Sequence, residues 1–313
     1  MSTLPDWARA YGQPLCSCRV RTTPSDFLVT EQLDIDFSGD GEHDWLCIEK
    51  TGANTIWVAS QLATHARVPS RDVGYSGLKD RHAITRQWFS VRRPSGEGSD
   101  WGALDVEGVE LLEHQRHQRK LKRGTHRGNA FRIALRGEEI ASVQAQLDER
   151  LEVISEQGVP NYFGEQRFGR DGGNVALGQA VLAGRRVSRN KRSIGISALR
   201  SLEFNNELSE RVARDTWNEF LAGDTANLDG TNSIFAVDAV DAELERRCRE
   251  LDIHPTGTLP ALESIDVKAS RRPLRVRVRD LTWEFTDDAL WLNFGLGSGS
   301  FATAVLRELA LLQ

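Results

Sequence analysis

The stretch RGNAFRIALRGEEIASVQAQLDERLEVISEQGVPNYFGEQRFGRDGGN, residues 127–174, decides how the chain is organised. It begins with strict alternation. Phe131, Ile133 and Leu135 share one parity and Arg132, Ala134 and Arg136 the other, the period of a strand with one buried face. The period then changes: Ile140, Val143, Leu147, Leu151 and Ile154 recur at helical spacing until Gly158 and Pro160 close the run. From Asn161 the texture shifts again, to a stretch rich in glycine and charge that opens a mainly helical region reaching residue 270.

Working outward, the spacing predicts strands over 27–31, 45–49, 87–92 and 106–112, with a turn-rich segment over 36–43. Thr55 can cap a helix that carries Val58, Leu62 and Ala66 on one face and stops before Pro69. Downstream, Asn174 can cap a short helix ending near Gly184, and Ser197 a longer one reaching Leu221. Strand texture returns near Arg271. There Leu274, Val276 and Val278 alternate with Arg275, Arg277 and Arg279, so one strand is expected to bury aliphatics and present three guanidinium groups. Residues 290–294 read as a strand and 301–312 as a final helix. The expected architecture is mixed α/β (α+β). Residues 1–160 and 271–313 form one discontinuous domain, and 161–270 a helix-rich insertion.

The chain has 313 residues, 39% hydrophobic and 27% charged, a composition that excludes global disorder. No apolar run is long enough to span a bilayer, and the first residues lack the cationic start and apolar stretch of an export signal, so no membrane partner is expected. Cys16, Cys18, Cys47 and Cys248 make no disulfide framework, and the expected compartment is the reducing cytosol. Lys and Arg total 40 against 45 Asp and Glu, a net charge of −5 that argues against a polyanionic partner until the basic residues are located. Arg116, Arg119, Lys120, Lys122, Arg123, Arg127 and Arg132 lie in a stretch without one acid, and Arg185, Arg186, Arg189, Lys191 and Arg192 form a second cluster. Arg271, Arg272, Arg275, Arg277 and Arg279 form a third. Local polyanion binding and ordinary solvated faces both remain open.

The densest segment is GYSGLKDRHAITRQWFSV, residues 74–91. Its first half has two glycines and no helical period, the mark of a loop, and Lys79 and Asp80 sit where that loop ends. Lys79, Arg81 and His82 surround Asp80 in sequence, and cations at that range favour a carboxylate suited to act as nucleophile or general base. A surface ion pair in a turn has the same composition.

The segment also resembles the signature of the TruD family of tRNA pseudouridine synthases, in which a Gly-x-Lys-Asp stretch carries the catalytic aspartate. Further matches follow in the family's order. RTTPSDFLVTE (21–31) resembles its N-terminal Pro-x-Asp-Phe motif, and GEHDWLCIEKTGANT (41–55) the strand and turn that follow. RGNAFRIALRG (127–137) resembles its Gly-Asn-x-Phe strand, NYFGEQRFG (161–169) the opening of its inserted TRUD domain, and GSFATAVLREL (299–309) its C-terminal motif. The resemblance implies isomerisation of uridine to pseudouridine at position 13 in the tRNA D-arm. It implies a pseudouridine synthase catalytic domain with a mixed, mainly antiparallel sheet, interrupted by the insertion, that needs neither cofactor nor metal; a monomer is the separate expectation. The insertion is shorter than usual between residues 221 and 271.

Residue by residue, the resemblance makes Asp80 the catalytic aspartate, Phe27 an aromatic against the target base, Asn129 a substrate contact and Phe301 the residue that closes the pocket. Phe131 is expected near Phe301, with plain core packing as its alternative. Arg21 stands where the family usually has Lys, and a planar fork there replaces a point charge. Lys79 could instead reach a phosphate. The candidate RNA contacts are Arg116, Arg119, Lys120, Lys122, Arg123 and Arg127, the Arg185, Arg186, Arg189, Lys191 and Arg192 cluster, and Arg275, Arg277 and Arg279.

Weaker signals point away from other classes. FGLGSGS (294–300) lies too near the end of the chain to open a dinucleotide-binding βαβ unit and reads as a turn delivering Phe301. Cys16 and Cys18 lack a second ligand pair at zinc spacing, and His114 and His117 read as RNA-facing or solvated. Two rivals remain: a non-catalytic tRNA-binding protein or RNA chaperone on the same fold, and an enzyme that cleaves the glycosidic bond without rejoining it.

Overall fold

The structure is a computed structural model and describes residues 4–93, 99–228, 233–237, 239–251 and 253–313. Contacts divide the chain into two compact units, one of residues 16–144, 279–299 and 312–313, the other of residues 1–15, 145–278 and 300–311. This division does not coincide with the boundaries expected at 161 and 271. The helix Gln144–Gln157 and the segments 271–278 and 300–311 group largely with 161–270.

The first unit is built on an eight-stranded mixed sheet. Its strands run, in spatial order, Arg279–Phe285, Leu290–Gly297, Gly128–Leu135, Phe27–Gln32, Ile84–Arg92, His43–Thr51 and Val109–His117. The eighth, Val73–Tyr75, pairs with the end of Ile84–Arg92. All pairings are antiparallel except that of Phe27–Gln32 with Ile84–Arg92. Alternation explains how the sheet is covered: Leu46, Ile48, Phe89 and Val91 share a face and pack against Val58 and Leu62 of the helix Thr55–His65. Each aliphatic side chain so buried contributes about 1.5–3 kcal/mol.

Three expectations shift here. Asn54, not Thr55, caps the helix, its Oδ1 accepting from the Trp57 amide at 2.8 Å, which leaves the Thr55 hydroxyl for another task. The strand expected over 106–112 starts later, at Val109. Gly108 makes a turn at φ +71° so close to Thr51 that a Cβ would meet its carbonyl oxygen at 2.6 Å. The strand expected over 274–279 is broken, its first part pairing as Arg275–Val276 and Arg279 opening a different strand in the other unit.

The second unit pairs the helices Gly173–Leu182 and Arg189–Ala213 with an antiparallel sheet of order Ile234–Ala236, Thr225–Leu228, Ile253–Leu259 and Ser270–Pro273. The sequence reading placed helices in this region but not that sheet. An aromatic cluster of Trp7, Tyr162, Phe163, Phe168, Phe204 and Trp217 forms the core. The caps differ from expectation. Gly172 precedes the short helix, and the Asn174 amide lies inside it, donating to the Arg167 carbonyl. Ser188 rather than Ser197 starts the long helix, accepting from the Lys191 amide at 3.4 Å, and the helix ends at Ala213, before the left-handed Asp215. The final helix is only Ala302–Leu306, with Ala310–Leu312 extended. The buried Glu308 carboxylate accepts from the Ala10 and Tyr11 amides, and the Leu309 carbonyl accepts from Leu15. Ties to the N-terminal segment therefore replace the helical bonds that the pattern favoured.

The two helices touch through glycines: a Cβ on Gly178 would lie 2.3 Å from the Gly195 carbonyl oxygen. Gly178→Val should therefore destabilise the protein by about 1–3 kcal/mol through forced separation of the helices, read by urea unfolding. Unchanged stability would contradict the close approach.

Candidate active site

Residues 76–83 form a loop between the strands Val73–Tyr75 and Ile84–Arg92, and its two central charges point opposite ways. Lys79 turns inward: its ammonium lies 2.9 Å from Glu31 Oε1, with the two side chains 6% and 0% exposed. Glu31 Oε2 accepts from the Trp88 amide at 3.1 Å. Asp80 turns outward, its side chain 26% exposed, and its Oδ2 lies 2.8 Å from Arg21 Nη2. Asp80 Oδ1 accepts from the His82 amide at 3.0 Å, which fixes the second oxygen.

The loop backbone is tied from below. Fully buried Lys50 donates to the carbonyls of Asp80 at 2.9 Å and Ala53 at 2.7 Å. The Lys79 amide donates to Thr55 Oγ1, the Thr55 hydroxyl to Gln87 Oε1, and Gln87 Nε2 to the Gly77 carbonyl. Arg81 donates to the Gly52 carbonyl at 2.8 Å. Burial lowers the Lys50 ammonium from 10.5 to about 8, with Asp80 opposing the shift.

Strand register sets the rest of the site. Glu31 lies directly opposite Asn129, and Phe27 opposite Ile133, so Phe27, Glu31, Asn129 and Phe131 occupy one face of the sheet. The Phe27 and Phe131 rings meet edge to face at 6.4 Å, and Phe131 stacks on Phe294 at 5.3 Å. Phe27 is nearly buried, and the Arg21 guanidinium covers its ring at 4.2 Å. Phe27 is thus a support for Arg21 more than an open face, while Phe131 is half-buried. Arg21 itself takes a left-handed backbone at φ +60°, uncommon for a residue with a side chain.

Two buried polar atoms here have no hydrogen-bond partner among the described residues, Asn129 Oδ1 and Arg21 Nε. His126 sits between Ser76 Oγ at 2.6 Å and Ser298 Oγ at 3.2 Å, and burial, reinforced by Lys79, holds its pKa below the ordinary value. Phe301 belongs to the other unit, where its ring lies 6.0 Å from Phe163 with the Arg167 and Arg272 guanidinium groups 6.0 and 5.8 Å away.

Several residues of the basic clusters make contacts within the fold, and several are exposed. Arg116 donates to the Gly41 carbonyl, Lys120 to the Arg71 carbonyl, Arg127 pairs with Asp34, and Arg123 lies 3.8 Å over Tyr75. Arg119 and Lys122 are exposed, as are Arg185, Arg186, Arg189, Lys191 and Arg192. Arg275 donates to Asn218 Oδ1, and Arg277 is exposed. His114, expected toward RNA or solvent, is exposed with its Nε2 bonded to buried Asp44, whereas His117 is half-buried and packs edge-on against Trp45 and Phe37. FGLGSGS completes the strand Leu290–Gly297 and then turns, and the short helix Ala302–Leu306 and the short strand Ala310–Leu312 follow.

Sequence reasoning missed Lys50, Glu31, Thr55, Gln87 and His126. A signal was present for two of them. Lys50 shares the parity of Leu46 and Ile48, and Glu31 that of Phe27 and Val29, so each places a charge on a core-facing position of its strand.

Among the described residues no cluster of three or more His, Cys, Asp or Glu is arranged to hold a metal ion, and no helix is long and apolar enough to cross a membrane. The family model described as tRNA pseudouridine synthase D (TruD) matches residues 8–185. A tRNA pseudouridine synthase D from Methylococcus capsulatus is 43% identical, over 97% of this chain and 94% of the relative. One from Proteus mirabilis is 39% identical, over 100% of this chain and 97% of the relative. In fold, the chain is similar to the crystal structure of a candidate tRNA pseudouridine synthase D from Methanosarcina mazei, with a TM-score of 0.77, 18% identity and 98% of each chain covered.

The depressed Lys50 ammonium makes a pH-dependent prediction. Between about 8 and the unfolded value of 10.5 the unfolded chain binds the additional proton, so stability from this group grows as pH rises through that window. Wild type should gain stability relative to Lys50→Met between pH 8 and 10.5 in denaturant titrations, and a pH-independent difference would contradict the buried charge.

Proposed function

The chain belongs to the tRNA pseudouridine synthase D family, and on that premise we propose that it isomerises uridine to pseudouridine in tRNA, at position 13 of the D-arm, with Asp80 as the catalytic carboxylate. The reaction breaks the N1–C1′ bond of uridine, turns the uracil and joins C5 to C1′. Atoms and oxidation state are conserved, so the chemistry asks for a positioned carboxylate and a dry pocket rather than a redox group. Attack on C1′, attack on C6 and removal of the 2′ proton each begin from an ionised aspartate.

The observation that carries the reading is an accessible, oriented Asp80 in the same unit as an unsatisfied Asn129 acceptor. Arg21 and the His82 amide hold the carboxylate, and Lys50 holds its backbone, so little reorganisation is needed at the moment of reaction. Asn129 Oδ1 suits the N3–H of an extruded uracil, since a buried acceptor without a donor costs about 1–3 kcal/mol that a ligand can recover. Arg21 offers Nε and a flat guanidinium on which a base can stack, and Phe27 keeps that plane fixed. Phe131 borders the same face. Lys79 acts through Glu31 by fixing the loop rather than by meeting phosphate.

RNA is held by its phosphates. The exposed Arg119, Lys122, Arg185, Arg186, Arg189, Lys191, Arg192 and Arg277 supply charge, and Arg116, Lys120, Arg123, Arg127, Arg275 and Arg279 are further contacts. The enzyme works as a monomer on cytoplasmic tRNA.

Purified protein incubated with an unmodified tRNA transcript should form pseudouridine at position 13. Asp80→Asn should abolish this while leaving tRNA affinity within a few-fold of wild type. Abasic sites would identify a glycosidase, and bound but unchanged RNA with the wild-type protein would identify a tRNA-binding protein without turnover. Either result overturns the proposal.

A further inference from the structure

The unit containing residues 145–278 carries a groove of about 600 Å³ along the first turns of the helix Arg189–Ala213. Phe163, Arg167, Arg189, Arg192 and Arg200 line it, with Ile196 as apolar wall. The arginines differ in what they do. Arg200 is structural, its guanidinium donating to the carbonyls of Leu259, Pro260 and Lys268 and to Ser270 Oγ. Arg189 and Arg192 are exposed at the rim, Arg192 donating to the Ile265 carbonyl at 3.3 Å.

Arg167 is the unusual member. It is half-buried, its guanidinium lies 5.2 Å over the Phe163 ring and 6.0 Å from Phe301, and among the described residues that guanidinium makes one hydrogen bond, to Ser197 Oγ at 3.2 Å. No carboxylate among the described residues is within ion-pair distance of it. A second guanidinium, Arg272, lies 4.0 Å over the same Phe163 ring, and burial together with Arg167 pushes it down to about 9. Two cations thus share one aromatic ring beside a groove whose rim adds two more. Withdrawing the Arg167 guanidinium from water with no acid beside it among the described residues opposes folding, and such a charge is stable in use when a ligand brings the anion.

The geometry points to a phosphodiester-binding groove for RNA in this unit, with Arg167 as the residue that grips the phosphate and Arg189 and Arg192 as its rim contacts. A planar guanidinium suits two non-bridging oxygens, and its seat on Phe163 holds that plane in place before RNA arrives. The assignment rests on the tRNA reading only for the identity of the polymer. Arg167 stands apart from the basic clusters in sequence, which is why charge counting passed over it.

The test is the salt dependence of tRNA affinity, with pseudouridine formation followed in the same samples and inorganic phosphate as a separate probe. Arg167→Met and, at the exposed rim, Arg192→Met should each flatten the slope of log affinity against log salt by about 0.7–0.9. Arg167→Met should melt no lower than wild type in the absence of RNA, because an uncompensated charge has gone. If that variant fails to fold, Arg192→Met decides. Wild-type slopes in the folded variants overturn the groove. A melting temperature raised by millimolar inorganic phosphate in wild type but not in Arg167→Met, with unchanged tRNA slopes, assigns the site to a free anion and also overturns it. Flattened slopes beside a wild type that binds tRNA but forms no pseudouridine support the groove and contradict the isomerase reading instead.

Discussion

The buried pair of Lys79 and Glu31 is the constraint on which the candidate active site depends. Both side chains are out of water, 2.9 Å apart, and removing one partner from such a pair typically costs about 3–5 kcal/mol because it strands the other charge. The pair therefore cannot rearrange cheaply. With Lys79 committed inward, the extended loop carries Asp80 outward, toward Arg21, and Lys50 holds the same peptide from beneath. Three charged residues whose burial is costly are thus used to hold one half-buried carboxylate in place, a use of stability that orients a side chain.

Arginine laid on an aromatic ring recurs in both units. In the sheet unit Arg21 covers Phe27, Arg123 covers Tyr75 and Arg132 covers Trp291, all at about the same separation. In the helical unit Arg167 and Arg272 share Phe163. The ring fixes the guanidinium plane without neutralising it, so the charge stays available to an anion. A chain with a net charge of −5 can in this way present local positive surfaces to a nucleic acid while its acids keep the rest soluble.

How far the sequence foretold this depends on the kind of contact. Local periodicity sufficed for the strands Phe27–Gln32 and Gly128–Leu135 and for the helix Gln144–Gln157, because one face of each is buried. Helix ends were misplaced where two residues of the same cap type compete. Both Ser188 and Ser197 are residues suited to a cap; Ser188 takes that role by accepting from the Lys191 amide, and Gly195 packs on Gly178 from inside the helix. At the C-terminal end a helical pattern yields to the buried Glu308 and its bonds to residues 10 and 11, a tie of long sequence separation. Asp80 is instructive in another way. Composition left open a surface ion pair or a catalytic carboxylate, and the structure contains the ion pair, to Arg21, as part of the arrangement that would orient the carboxylate. Lys50 and Glu31 escaped notice because charge was read as exposure, although their parity marked them as inward.

The most direct test of the central claim is a double-mutant cycle on Glu31 and Lys79, read by single-turnover pseudouridine formation and by tRNA affinity. If the pair positions Asp80, Glu31→Gln and Lys79→Met each slow isomerisation by at least about tenfold with affinity preserved, and the double variant is no slower than the worse single one. Additive losses, or single variants as fast as wild type, would contradict a carboxylate held in place by that buried pair.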